Sequence, residues 1–129
     1  MDAFKDYLSY MLKALRKLPT FRGVAHRGND NRAIVKQEYR QGREIFWSGF
    51  TSTTLSKDVA KEFAGKNGVV FNIKLSSGKN ISQFSTLGRE DEIILTPNTG
   101  LIVAKELYKN PVDGYWYVDL VEKTDVFVW

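Results

Sequence analysis

The sequence predicts an α+β fold, in which a helix at the N-terminus is followed by a mainly antiparallel set of strands. The chain has 129 residues, which suits one compact domain, and its hydrophobic fraction of 43% is enough for a packed core. Apolar residues recur at helical spacing near the start, and the second half consists of β-branched and aromatic runs. No helix-length segment separates these runs, and parallel neighbours would need such crossovers. We therefore expect one domain over residues 1–129.

The first 18 residues predict a packing helix. Asp2 suits its N-cap, and Pro19 cannot continue it. An apolar stripe of this kind is typical of a helix that faces a core, and we prefer that interpretation to a membrane-surface role. No apolar run reaches membrane-spanning length, and the segment lacks the order of regions found in a signal peptide. The stripe consists of Phe4, Leu8, Met11, Leu12, Leu15 and Leu18.

The segment from Phe21 to Gly65 predicts short strands and two short helices. "FRGVAHRG" reads as a strand, and "RAIVKQEYRQG" predicts a helix stopped by Gly42. "EIFWSGF" predicts a second strand, which runs into the hydroxyl-rich "TSTTLS". Ser56 then offers an N-cap to "KDVAKEFAG", a helix closed by Gly65.

The remainder of the chain predicts strands only, so the helices precede most of the sheet. The turn-forming dividers are "SSGKN", "STLGR", "PNTG" and "NPVDG", and the last of these predicts a hairpin. The predicted strands are "GVVFNIKL", "NISQF", "DEIILTP", "GLIVAKELYK" and "YWYVDLVEK".

Composition excludes several classes of site. The chain has no cysteine and a single histidine, His26, so disulfides, thiolate metal sites and multi-histidine metal centres are excluded within it. We expect no metal. The net charge of +4 is spread along the chain and forms no basic arm. A basic nucleic-acid-binding domain therefore stays an alternative that only charge and aromatic content support.

Three carboxylates stand before an apolar strand in "GREDEIILTP". If this segment enters a strand, Glu90 and Glu92 point to one face and Asp91 to the other. The α-carbons of the two glutamates are then roughly 6.5 Å apart, so both carboxylates reach one site. Such a pair suits a reaction through a cationic, oxocarbenium-like sugar. The alternative is a solvated strand end whose charges prevent edge pairing, and this motif alone favours that alternative.

Three further features allow both a functional and a structural interpretation. Arg27 and Gly28 end an apolar strand, where an arginine can bind phosphate and a glycine allows close approach of a ligand. A surface arginine before a turn is equally common. Ser52 lies in a hydroxyl-rich stretch that suits a polar ligand or the orientation of a carboxylate. Phe63, near the end of a short helix, would more often be a core aromatic.

Taken in order, Arg27, Ser52 in "FTSTT" and Glu92 in "EDE" resemble the arginine-serine-glutamate signature of mono-ADP-ribosyltransferases. The similarity is to the branch that contains vertebrate ecto-ADP-ribosyltransferases and clostridial binary-toxin enzymes. "LPTFRG", "VAKEFAG" and "GREDEIILTPNT" support it, and it covers about Leu18 to Thr99. The resemblance implies an ADP-ribosyltransferase-type β-sandwich behind the N-terminal helix.

The resemblance also implies roles for five residues in binding and cleaving NAD. Arg27 would hold the phosphates, and the backbone of Gly28 would meet the nicotinamide carboxamide. Ser52 would orient Glu92 and contact the ribose. Glu92 would bond the ribose 2′-hydroxyl and stabilise the oxocarbenium ion. Phe63 would lie against the nicotinamide ring.

The acceptor side follows from the same resemblance. Glu90 would receive a guanidinium and direct the reaction to arginine, and Phe84 would contact the acceptor. His26 departs from the tyrosine or phenylalanine often found before the arginine, and its titration adds a source of pH sensitivity.

The function that the resemblance implies is transfer of ADP-ribose from NAD to a protein arginine. We expect a protein acceptor, no nucleic-acid partner, a monomer, and a toxin-like or effector setting that the sequence does not specify further. Two alternatives keep the fold: a NAD glycohydrolase with water as acceptor, and a non-catalytic NAD-binding or interaction module.

Overall fold

Seven strands and two helices follow one another in the part of the chain that the structure, a computed structural model, describes. The described residues are 13, 17, 20–47, 49–80, 92–96 and 99–123. The elements are β1 (Thr20–Asn29), α1 (Arg32–Glu38), β2 (Glu44–Trp47), β3 (Thr51–Thr54), α2 (Lys57–Ala64), β4 (Val69–Asn80), β5 (Glu92–Leu95), β6 (Thr99–Lys109) and β7 (Trp116–Glu122).

The strands form one mixed sheet in the order β1-β3-β5-β4-β7-β6-β2, and β1 also pairs with β4. The β4–β7 pairing is parallel, and the other pairings between described strands are antiparallel. In the described part of the connection between the parallel pair, β5 and β6 lie between them in sequence. The predicted hairpin at "NPVDG" is confirmed by the antiparallel β6–β7 pair.

The α+β class is confirmed, with two differences in detail, and two predicted elements lie largely outside the described residues. Both described helices lie between strands instead of preceding the sheet. The stretch "SSGKN" was predicted as a turn, but β4 continues through it, and Gly78 there packs too close to Ile93 for a Cβ. The predicted helix over residues 1–18 lies outside the described residues except for Lys13 and Lys17, and the predicted strand "NISQF" lies outside them beyond its first residue.

The helix ends follow local capping chemistry. Ser56 accepts a hydrogen bond from the Val59 amide at the start of α2, and Gly65, at φ 65°, follows its end, as predicted. Asn31 caps α1 in the same way through its side chain. The prediction that Gly42 stops α1 is wrong, since the helix ends at Glu38 and Gly42 lies in the following turn.

The sheet buries apolar side chains on both faces. A small cluster joins α2 to the sheet through Ala60, Ala64, Val70 and Tyr117. None of the described helices is long and apolar enough to cross a membrane. The larger cluster, on which Tyr39 and Trp47 also pack, contains Ala25, Val35, Val69, Phe71, Ile73, Leu75, Ile93, Leu95, Leu101, Val103, Val118 and Leu120.

Candidate active site

A cavity of about 530 Å³ opens between α2 and the sheet, along β1, β3 and β5. Five of the residues predicted for the site line it, from three strands and one helix. Three strand ends and a helix thus converge on one concave surface, the usual setting of a small-molecule site. The cavity is lined by His26, Arg27, Gly28, Ser52, Thr53, Thr54, Val59, Ala60, Glu62, Phe63 and Glu92.

Glu92 and Ser52 are hydrogen-bonded on the wall of this cavity. Thr54 pairs with Glu92 across β3 and β5, so Ser52, two residues earlier, lies diagonally opposite on the same face. Ser52 Oγ donates to Glu92 Oε2 over 2.5 Å, as short as hydroxyl–carboxylate bonds become. Among the described residues, Ser52 is the only hydrogen-bond partner of this carboxylate. Glu92 therefore keeps acceptor capacity for a ligand.

Arg27 is exposed and joins β1 to β3. Its Nη1 donates to the Ser52 carbonyl over 2.8 Å, and its guanidinium carbon lies 5.8 Å from the centre of the Trp47 ring. These contacts hold the side chain while most of its five N–H groups stay available. Arg27 also borders a second cavity of about 310 Å³, which Tyr39, Phe46 and Trp47 help to line. It thus lies between two cavities.

Gly28 is where α2 approaches β1 most closely. A Cβ at this position would lie 2.2 Å from the Ala60 carbonyl oxygen and 2.7 Å from the Ala64 amide nitrogen. The glycine is therefore required for helix–strand packing, a reason different from the close approach of a ligand considered from sequence. Because the packing is so tight, α2 and the Phe63 side chain are held directly over the end of β1.

Phe63 lines the cavity and is 64% exposed. The alternative that it is a core aromatic is therefore wrong. An apolar ring left open at the mouth of a polar cavity offers a surface for a flat ligand to stack on.

Two other hydroxyls of β3, those of Thr53 and Thr54, have structural partners. Thr53 Oγ1 donates to the Ile93 carbonyl, and Thr54 Oγ1 accepts from the Ser56 amide at the start of α2. Of the three hydroxyls Ser52, Thr53 and Thr54, only that of Ser52 reaches the carboxylate.

A polar row, consisting of His26, Asn72, Asp119 and Tyr108, crosses the sheet from the cavity. His26 Nδ1 lies 2.8 Å from Asn72 Oδ1, Asn72 Nδ2 donates to Asp119 Oδ1, and the Tyr108 hydroxyl donates to the same oxygen. Burial lowers the pKa of His26, the Asn72 contact partly opposes this, and Lys57 lowers it further. Burial and the contact with Asp119 raise the pKa of Tyr108 to about 12.

Sequence reasoning noted His26 and missed its partners. Asn72 in "VVFNIKL" and Asp119 in "YWYVDLVEK" were available signals, because a lone polar residue inside an apolar strand needs a partner. Trp47 beneath Arg27 and Glu62 beside the cavity were also missed. No sequence signal at the level of single residues indicated them.

Two predicted site residues, Glu90 and Phe84, lie outside the described residues, as does Asp91. In the described ranges there is no group of three or more histidine, cysteine, aspartate or glutamate side chains that could hold a metal ion.

The family comparison agrees with this geometry. The sequence model of the ART family, described as NAD:arginine ADP-ribosyltransferase, matches residues 1–126. The chain therefore belongs to the NAD:arginine ADP-ribosyltransferase family.

Individual relatives are longer than this chain. A Mycobacterium avium protein named "Putative NAD(+)--arginine ADP-ribosyltransferase Mav" is 31% identical over 86% of this chain, which covers 13% of that protein. The NAD(+)--protein-arginine ADP-ribosyltransferase Tre1 of Serratia proteamaculans is 26% identical over 93% of this chain and 25% of its own length. The chain thus spans a quarter or less of these two relatives.

Solved structures of the Vis toxin of Vibrio splendidus share the fold. The complex of Vis with inhibitor M6 superposes with a TM-score of 0.76 at 24% identity, over 93% of this chain and 57% of that one. The complex with agmatine gives a TM-score of 0.73 at 23% identity, over 93% and 58%.

Proposed function

We propose that this chain transfers ADP-ribose from NAD to an arginine side chain and releases nicotinamide. The observation that carries the proposal is the hydrogen bond from Ser52 to Glu92 on the wall of a cavity that Arg27 and Phe63 also line. The cavity thus combines a carboxylate that can still accept hydrogen bonds, a cation for phosphate and an aromatic surface, which together suit the nicotinamide half of NAD. Membership of the arginine ADP-ribosyltransferase family supports the same chemistry.

The position of Arg27 suits a dinucleotide. NAD carries its two phosphates in the middle of the molecule, and Arg27 lies between the larger cavity and the smaller aromatic one. A guanidinium there would bind the diphosphate through paired N–H groups. The nicotinamide half would occupy the larger cavity, beside Phe63 and the backbone of Gly28. The adenosine half would extend towards Trp47.

The reaction needs one carboxylate at the sugar. When the bond between ribose C1′ and nicotinamide breaks, its electron pair goes to the ring nitrogen, and nicotinamide leaves neutral. No general acid is required, unlike ordinary glycoside hydrolysis. The positive charge passes to the ribose as an oxocarbenium ion, which Glu92 would stabilise while it bonds the 2′-hydroxyl. Ser52 would hold Glu92 in the orientation that this requires.

The arginine acceptor completes the transfer. A guanidinium nitrogen forms a bond to C1′ and loses a proton, and a carboxylate at the acceptor side would orient the group and take that proton. We assign this role to Glu90, with Phe84 as a contact, from the resemblance in sequence alone. The structure of Vis with agmatine, a guanidinium compound, supports an acceptor of this class.

The test is incubation of the protein with NAD labelled in the adenosine half and with agmatine. The wild type is expected to label agmatine and release nicotinamide. Glu92→Gln should lose both activities, and Glu90→Gln should lose the labelling while it keeps nicotinamide release. Glu106 is half-buried, lies outside the cavity and pairs with Arg40, so Glu106→Gln is the matched control and should keep both activities.

Other outcomes would redirect the assignment. Nicotinamide release without agmatine labelling, unaffected by Glu90→Gln, would indicate a NAD glycohydrolase. Binding of NAD without turnover would indicate a non-catalytic module. Transfer that survives Glu92→Gln unchanged would contradict the proposal itself.

The finer parts of the fold prediction belong to the same proposal. We infer that residues 1–129 form one catalytic domain, that residues 1–18 form a helix packed on it, and that the sheet folds over as the two layers of a sandwich. The dual pairing of β1 and β4, each with the other and with the β3–β5 pair, supports such a bend.

A further inference from the structure

His26 occupies a position in the cavity that the proposed reaction has not yet used. It lies on β1 two residues before Gly28, so both residues face α2. It pairs with Thr54 on β3, and Thr54 pairs with Glu92 on β5. The α-carbons of His26 and Glu92 are therefore about 10 Å apart across two strand spacings. Both side chains line the cavity, two strands apart.

The polar row decides which nitrogen of His26 carries the proton. A carboxylate accepts hydrogen bonds and does not donate them, so Asn72 must turn its NH₂ group towards Asp119. Its carbonyl oxygen is then the atom that faces His26 Nδ1, which must donate. A neutral imidazole with hydrogen on Nδ1 has a bare Nε2, which is an acceptor.

Nε2 is open to the cavity. Within the described part of the chain, Nε2 has no hydrogen-bond partner. Every buried side-chain nitrogen or oxygen in that part has one. Nε2 is therefore accessible, and the space that His26 lines is the large cavity. The row holds the ring in place and presents a neutral acceptor to whatever enters.

We propose that His26 is a positioning residue for NAD, whose Nε2 accepts a hydrogen bond from the carboxamide NH₂ of nicotinamide. This rests on the proposed function. The carboxamide carries the only N–H donors of the nicotinamide, while the ribose hydroxyls would lie near Glu92 and Ser52. The interaction fixes the rotation of the ring, and so aligns the bond that breaks.

The same geometry makes NAD binding sensitive to acid. A proton on Nε2 turns the acceptor into a donor and places a positive charge beside the cationic nicotinamide ring, which opposes binding. Burial lowers the pKa of His26 from its ordinary value of 6.5, so NAD binding should weaken only as the pH falls below that value. The charged residues on β1 and on the elements around it are Arg22 and Arg27 on β1, Lys57, Asp58, Lys61 and Glu62 on α2, Lys74 and Lys79 on β4, Glu92 on β5, and Asp119 and Glu122 on β7.

The first experiment reads the tautomer directly. His26 is the only histidine of the chain, so the nitrogen spectrum of protein labelled with ¹⁵N-histidine is assigned without ambiguity. At pH 7.5 we expect hydrogen on Nδ1 and none on Nε2, and a shift of the Nε2 resonance when carba-NAD is added. A proton found on Nε2, or an Nε2 resonance that carba-NAD leaves unmoved, overturns the proposal. This readout requires no turnover.

The second experiment compares NAD with its 3-acetylpyridine analogue, in which a methyl group replaces the NH₂. The ratio of kcat/KM for the two dinucleotides is expected to fall about five- to tenfold in His26→Phe, because one hydrogen bond is lost for NAD only. The rise of KM for NAD below pH 6.5 should also be weaker in His26→Phe than in the wild type. Asn72→Leu keeps the imidazole but removes the acceptor that fixes the proton on Nδ1. It should lower the ratio by a smaller factor.

The outcomes separate this inference from the reaction itself. If the wild type cleaves NAD and His26→Phe keeps the full preference for NAD, the role of His26 is wrong and the proposed reaction stands. If the wild type neither binds nor cleaves NAD, both fail. Phenylalanine keeps a planar ring at this position, and a melting curve that matches the wild type shows that the substitution has not unfolded the site.

Discussion

Glu92 and Asp119 are two hydrogen-bonded carboxylates at opposite ends of one line of strand pairs. From Glu92 the pairing runs through Thr54, His26 and Asn72 to Asp119. Asp119 accepts two hydrogen bonds on one oxygen, from Asn72 and from the Tyr108 hydroxyl. Glu92 has one described partner, Ser52, and lines a cavity.

This difference separates a carboxylate that supports a site from one that acts in it. Asp119 accepts hydrogen bonds from side chains of two neighbouring strands, so its role is to hold those side chains in place. Glu92 is oriented by one hydroxyl and left with free lone pairs, and it costs little to present it to a cationic sugar. The count of internal partners thus distinguishes the two roles better than residue type does.

The largest test of this comparison removes each negative charge in turn. Glu92→Gln is expected to lower kcat for nicotinamide release by at least about 100-fold, with little change in melting temperature, because the lost charge acts on the transition state. Asp119→Asn keeps an oxygen that can accept from both Asn72 and Tyr108 but removes the charge that strengthens the two hydrogen bonds, so it should lower the free energy of unfolding by about 1–2 kcal/mol. Its kinetic effect should fall on KM for NAD, through Asn72 and His26.

Both variants are measured by steady-state kinetics and thermal unfolding on the same preparations. The comparison fails if Asp119→Asn lowers kcat as much as Glu92→Gln does, or if Glu92→Gln is the less stable of the two.

A smaller test removes one hydroxyl donor from each carboxylate. Ser52→Ala frees the Glu92 side chain and is expected to lower kcat about 10- to 100-fold with an unchanged fold, because orientation is lost while the charge remains. Tyr108→Phe is expected to lower the free energy of unfolding by about 1 kcal/mol. Its effect on kcat should be at least ten times weaker than that of Ser52→Ala. Equal effects on kcat would mean that Glu92 and Asp119 do not differ in role.

Ser52→Thr supplies the matched control. It restores a hydroxyl at the same position, so it should recover part of the lost rate. If it behaves like Ser52→Ala, the loss comes from a change in packing and not from the hydrogen bond to Glu92.

Much of the fold followed from local patterns in the sequence. The caps Ser56 and Gly65 and the turn "NPVDG" act within a few residues, so each could be predicted where it stands. The parallel β4–β7 pair could not, because it joins strands that lie more than thirty residues apart, and no local pattern indicates which distant strands pair. The continuation of β4 through "SSGKN" was hidden for a similar reason: the tight contact that uses Gly78 is with Ile93 on another strand.

The site shows the same division. Arg27, Ser52 and Glu92 were predicted as a set because their order and spacing resemble a family signature, and the structure brings all three to one cavity. Their roles in the reaction stay predictions. The partners of His26 were not found, since Asn72 and Asp119 become neighbours only when β1, β4 and β7 are aligned in register.

A third carboxylate, Asp113, extends the comparison to the stability of the fold at low pH. It lies in the turn between β6 and β7, where it accepts hydrogen bonds from the Tyr117 hydroxyl and the Tyr115 amide and pairs with Lys61 Nζ at 3.1 Å. Burial alone would raise the pKa of Asp113, but these partners, led by Tyr117, lower it from 3.8 to about 2. By its number of internal partners it belongs with Asp119.

The sign of its contribution follows from that shift. A carboxylate whose pKa is lower in the folded state stabilises the fold above pH 3.8, and this stabilisation is lost as the pH falls towards 2. Asp113→Asn should therefore melt a few degrees below the wild type at pH 6, and the difference should shrink steadily between pH 4 and pH 2. His26 is present in both proteins, so its own titration cancels in the difference. Because Asp113 does not line the cavity, kcat should change far less than in Ser52→Ala. A pH-independent difference in melting temperature would mean that Asp113 contributes through shape and not through its charge.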